Sequence, residues 1–183
     1  MFARRRSVDA AYLRSQAAVA LPVVPSPVSR GLAMRIVSAP DDYRERMRLA
    51  QLLVDDLDAS LGLPKCKMTV ADRAQAHHHD GQRLQSKTYG YYQCAFRDGE
   101  VADARIRIYH RTAVRQQVIS AKVFLNTVLH EWVHHFDFAA LRLERSPHTS
   151  GFYTRLRMLA DALDVGFVLP PEPEPVTRLT PAG

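Results

Sequence analysis

Two histidines one helical turn apart, with a glutamate beside the first, are the residues of this 183-residue chain best suited to chemistry: His130-Glu131-Trp132-Val133-His134. Side chains at i and i+4 leave the same face of a helix, so both imidazoles can converge on one zinc ion. Glu131 leaves the helix about 100° further round, yet can reach the open side of such an ion. There it is expected to act as general base, taking a proton from zinc-bound water and later giving one to a leaving group. Trp132 and Val133 are apolar, as suits a helix whose other side is buried. Catalytic zinc usually takes three protein ligands and keeps a fourth position open. Three residues are candidates for the third ligand. Asp137 lies on the same helical face and, being so local, is better suited to orienting a histidine than to serving as the third ligand. Glu144 lies near the helix end, between Arg142 and Arg145. His148 follows in a loop where Pro147 and Gly151 let the chain turn back.

Other reactive residues fit this scheme less well. In His77-His78-His79-Asp80 adjacent side chains diverge on any regular backbone, so a solvated loop is expected, with a second metal site as the alternative. His135 points about 100° away from His134 and is not expected to be a ligand. Tyr153 is suited either to stabilising an oxyanion or to packing in the core. Cys66 and Cys94 form no CxxC pair and are read as reduced and structural.

The elements that must position these residues follow from periodicity. Ser120 is the expected N-cap of a helix over 120–142, its apolar stripe running through Val128, Leu129, Trp132, Val133 and Phe136. A second helix begins after Pro40-Asp41-Asp42 and carries Leu49, Leu52, Leu53 and Leu57 up to Gly62. A last helix spans 152–164, with Gly166 placed to stop it. Met68-Thr69-Val70 reads as a short strand, and 88–96 and 104–109 as a hairpin around Asp98-Gly99. In its second strand Ile106 and Ile108 share the buried face and Arg105 and Arg107 the other.

Eight of the eleven prolines fall before residue 31 or after residue 168. They mark off a disordered basic arm over 1–33, a folded domain over 34–168 and a proline-rich disordered tail over 169–183. No apolar run reaches the roughly 18 residues a membrane helix needs, and a monomeric cytoplasmic protein is expected. The net charge of +6 and pI near 9.6 suggest nucleic acid. Yet the first 30 residues hold five arginines against one aspartate, so most of the excess belongs to the arm. Arg97, Arg105, Arg107, Arg111 and Arg115 form the remaining basic stretch, which phosphate contacts would use.

An HExxH helix after a short mixed sheet, followed by a histidine, a glycine and an aromatic, resembles the SprT-like zinc metallopeptidases, among them the Spartan-type proteases of DNA–protein crosslink repair. The matching downstream stretch is His148-Thr149-Ser150-Gly151-Phe152-Tyr153. Its glycine does not directly follow the histidine, a departure from the SprT-like pattern. The spacing is also similar to YgjP-type metal-dependent hydrolases. The resemblance covers about residues 40–165 and is specific around 120–158. It implies an α+β, minimal zincin-like domain, with a small mixed sheet packed on the HExxH helix. It further implies Zn2+ on His130, His134 and His148, Glu131 as the base, and a protein or peptide substrate, with DNA or a DNA-bound protein as a further partner. An extended substrate could add to an edge strand, for which 104–109 is the candidate. Two other readings stand beside it: a zinc-stabilised DNA-binding accessory protein without turnover, and a YgjP-like hydrolase of a non-peptide substrate.

Overall fold

The structure, a computed structural model, describes residues 9–79 and 84–165. Along the chain run α1 (Ala10–Ala17), α2 (Pro27–Ser38), α3 (Tyr43–Leu61), β1 (Lys67–Ala74), β2 (Ala76–His79), β3 (Leu84–Thr88), β4 (Gly90–Arg97), β5 (Glu100–Arg111), α4 (Ala121–Ala139) and α5 (Ser150–Ala162). The class is α+β, with a mixed three-stranded sheet in the order β1-β5-β4. The Asp98-Gly99 hairpin forms as its sequence requires. Both residues take positive φ, 53° and 80°, the combination a two-residue turn needs to match the strand twist. β4 pairs antiparallel to β5, and β1 runs parallel to β5 on its other side.

Strand alternation decides where the core lies. Ile106 and Ile108 are fully buried, while Arg105 on the opposite face of β5 is exposed. α3 and α4 pack against the buried face, which brings Leu53, Leu57, Val128, Leu129 and Trp132 into one apolar cluster with the isoleucines. Asp42 caps α3 through its side chain, and Gly62 ends that helix in a left-handed conformation. Ser120 caps α4 by accepting from the Val123 N–H, and α4 closes at Ala139, three residues short of the expected end. Leu52, expected in the α3 stripe, is instead exposed.

Three expectations need correction. Residues 9–33 of the supposed disordered arm are folded onto the domain. Pro27 is not linker but the first residue of α2, with Ser26 as N-cap, a position where the missing N–H costs nothing. Leu21, Val23, Leu32, Ala33 and Ile36 are buried in the common core, so the domain starts well before residue 34. Arg14 and Arg30, although exposed, donate to the carbonyls of Leu141 and Ala162 and so tie the segment to the domain. Second, residues 104–109 lie in the central strand, because β5 is paired on both sides; the sheet edges are β1 and β4. Third, His77, His78 and His79 belong to strand β2, paired antiparallel with β3, rather than to a loop. Residues 1–8, Asp80, the tail over 169–183 and the expected stop at Gly166 lie outside the described residues. No helix among the described residues is long and apolar enough to cross a membrane.

Candidate metal centre

α4 supplies His130 and His134 from one face, and the loop before α5 brings His148 over them. The His148 Nε2 lies 2.9 Å from the His130 Nε2 and 3.1 Å from the His134 Nε2. One nitrogen from each of the three residues falls within 4.8 Å of the others. A tetrahedral zinc with bonds of about 2.0–2.1 Å would hold two nitrogens about 3.3 Å apart, close to the observed separations. Three imidazole nitrogens turned inward on one another suit a cation, and the donor set suits zinc among other transition metals. The sequence alternatives for a third ligand separate clearly. Asp137 is buried and engaged elsewhere, and Glu144 is exposed, away from the triad.

Beneath the triad lies Phe152, fully buried, with its ring centroid 4.9, 4.6 and 5.0 Å from those of His130, His134 and His148. This apolar floor withholds water from one side of the imidazoles. Burial pushes the pKa of His130 down to about 4 and that of His134 down to about 2, with neighbouring imidazoles adding to the effect. The neutral form, the one able to ligate, is thereby favoured.

Glu131 is 6% exposed and faces the same cleft. Burial pushes its carboxyl up to about 8, opposed by a hydrogen bond from the Tyr92 backbone N–H. Burial thus favours the protonated form, and a cation held by the three histidines would favour the carboxylate that can accept a proton. The cleft, about 670 Å3, runs between α4 and the 88–92 stretch that leads into β4, and His130, Glu131, His134, Ser146 and His148 line it. β4 is an edge strand of the sheet, and its Gly90, Tyr91 and Tyr92 form one wall.

A second layer of contacts supports His134. Its Nδ1 lies 2.6 Å from the Ser146 Oγ, which donates to the Asp137 Oδ2 at 2.7 Å. Asp137 also accepts from the Arg155 Nη2 at 2.8 Å; both side chains are completely buried. The Asp137 Oδ1 is equally close to that nitrogen but lies off the hydrogen-bond axis. Arg155 donates in turn to the carbonyls of Ser15 and Ala18 at the end of α1. The Ser15 and Thr149 hydroxyls are 2.9 Å apart, and Thr149 caps α5 one residue after His148. Contact is so close here that a Cβ at Gly151 would fall 2.2 Å from the Ser15 carbonyl oxygen. Glycine is therefore needed where α1 crosses α5.

His135 turns away from the site, as its position on the helix predicts. Its Nε2 donates to the Pro64 carbonyl at 2.9 Å, so its Nδ1 is left to accept from the Tyr92 hydroxyl at 3.1 Å. Tyr153 stands beside His148, ring centroids 6.0 Å apart, and packs against the core rather than lining the cleft. Cys66 and Cys94 are both free, and burial raises the Cys66 thiol far above its usual range. In the basic stretch Arg97 pairs with Asp103 and Arg111 with Asp72, which neutralises part of it. Arg105 remains exposed on the open face of the sheet.

Sequence reasoning did not find Ser146, Arg155, Ser15 or Phe152. The aromatic was visible only as part of a spacing pattern, and the other three carry no local signal. No protein-family model, curated protein or solved structure matches the chain.

Proposed function

We propose that this chain is a zinc-dependent metallopeptidase of the SprT-like, zincin kind. The observation that carries the reading is the convergence of the His130, His134 and His148 Nε2 atoms beside the buried Glu131 carboxylate. When bound there, zinc would supply Lewis-acid polarisation of a peptide carbonyl and a more acidic water. Glu131 takes a proton from the attacking water and passes it to the departing amine, completing hydrolysis. An extended peptide substrate fits along the β4 edge, where main-chain pairing would hold it across the cleft.

The test separates binding from chemistry. Purified protein should contain about one zinc per chain, on the three-ligand logic of catalytic sites. Glu131→Gln should retain that zinc and lose casein hydrolysis, whereas His148→Ala should lose the zinc itself. Hydrolysis by Glu131→Gln at the wild-type rate would sink the mechanism. Asp137→Ala should weaken the metal only indirectly; complete loss of zinc there, with retention in His148→Ala, would move the ligand.

Binding without turnover is a second reading, and the exposed Arg105 and Lys67 on the open sheet face favour it. DNA affinity would then fall steeply with salt and survive His148→Ala. A YgjP-like hydrolase of a non-peptide substrate would use the same four residues and differ only in what Glu131→Gln abolishes.

A further inference from the structure

We infer that Ser146 is a positioning residue of the metal centre, relaying the buried Arg155–Asp137 pair to His134 and holding that imidazole in the one tautomer that can ligate through Nε2. The inference rests on reading His130, His134 and His148 as the metal-binding triad.

The argument is a count of protons. Arg155 offers only donors, and the Asp137 carboxylate beside it offers only acceptors. The Ser146 hydroxyl has a single proton, and at 2.7 Å from the Asp137 Oδ2 it donates that proton to the carboxylate. What remains on its oxygen is accepting capacity. The His134 Nδ1, 2.6 Å away, must then carry a hydrogen and donate it. With the one N–H of a neutral imidazole on Nδ1, the Nε2 lone pair is free and points toward His148 and His130. Metal-ligating histidines commonly donate their other N–H to a carboxylate or carbonyl. In this chain the carboxylate is reached through a serine hydroxyl.

Geometry accounts for the intervening serine. Asp137 lies three residues beyond His134 on α4, and its carboxylate is held inward by Arg155, whose guanidinium is tied to the end of α1. Ser146 comes from the loop carrying His148, two residues before it, so the same hydroxyl that orients His134 also anchors the loop of the third ligand. Ser146 therefore couples two ligands.

Two measurements test the inference. In metal-free wild-type protein, long-range 1H–15N correlation of the imidazoles should show His134 protonated at Nδ1. Ser146→Ala should shift His134 toward the Nε2–H form. By competition with a chromophoric chelator, Ser146→Ala should also weaken zinc binding about 10–100-fold, the usual effect of removing such a partner. Ser146→Thr keeps the hydroxyl and should restore both signals. An Nε2–H tautomer in the wild type, or unchanged zinc affinity in Ser146→Ala, overturns the inference. The wild-type tautomer needs no variant, so the inference stays testable if Ser146→Ala fails to fold. Wild-type protein that binds no zinc while showing Nδ1–H at His134 would defeat the triad reading but leave the serine relay standing.

Discussion

Removing the Arg155 guanidinium should damage the fold and the three-histidine cluster together, and the structure sets the size of the effect. Arg155 and Asp137 are both 0% exposed, and the Arg155 Nη2 lies 2.8 Å from the carboxylate. Arg155→Met preserves bulk but leaves a buried carboxylate without its cation and the carbonyls of Ser15 and Ala18 without their shared donor. Breaking one side of a buried ion pair costs about 3–5 kcal/mol. For a chain of this length, about 2–4 °C of Tm is lost per kcal/mol, so a fall of roughly 6–20 °C is expected. Asp137→Asn/Arg155→Met removes both charges and should lose less than the two single variants added together, with a coupling of about 1–3 kcal/mol. Urea unfolding in the presence of a chelator is the proper assay, because bound metal adds its own stabilisation. Loss of Asp137 orientation should also weaken zinc binding in the Arg155→Met variant at temperatures where it remains folded. A cost for Arg155→Met below about 1 kcal/mol, or strict additivity in the double variant, would refute the argument that this pair is desolvated and mutually dependent.

Two further outcomes follow from the same contacts. A chain starting at Met34 loses the burial of Leu21, Val23 and Leu32, about 5–9 kcal/mol at 1.5–3 kcal/mol per large apolar side chain, which is comparable to the whole stability of a domain. Circular dichroism and amide dispersion should show it largely unfolded, and a well-folded product of unchanged Tm would contradict the packing of α1 and α2. Asp58 gives a pH prediction. It is 2% exposed, and burial pushes its carboxyl up to about 7 despite hydrogen bonds from the Trp132 indole and the Cys66 N–H. The folded state therefore holds the proton more tightly than the unfolded state. Its contribution is complete below pH 4 and fades as pH rises through 7, at most about 1.4 kcal/mol per unit and about 4 kcal/mol in all. Stability measured by urea from pH 5 to 8 should fall more steeply in wild type than in Asp58→Asn; parallel slopes would show that Asp58 ionises normally.

What could be read from the sequence, and what could not, divides by the range of the interaction. The i, i+4 spacing of His130 and His134, the Ser120 cap and the Asp98-Gly99 turn are each determined within a few residues, and all three stand where expected. His148 is intermediate. Its distance from His134 is short along the chain, but nothing local distinguished it from Asp137 or Glu144, and only the resemblance favoured it. The support beneath the ligands was not legible. Ser15 meets Thr149 across 134 residues, and Arg155 reaches Ala18 across 137. No periodicity carries such pairings. Proline and arginine then misled in a specific way. Both are common in solvated linkers, so Pro22, Pro25, Pro27 and Arg14 suggested an arm. Proline is equally suited to the first turn of a helix, and arginine to closing the carbonyl end of another element. Pro27 and Arg14 take those roles here. The distinguishing signal was the apolar residues among them, Leu21, Val23 and Leu32, which a solvated arm has no reason to carry. The basic charge of the first 30 residues is therefore partly structural. Arg14 and Arg30 satisfy carbonyls of the folded domain, and α1 accepts from the guanidinium that holds Asp137 in place behind His134. The three-histidine cluster thus depends on a segment more than 100 residues upstream of it.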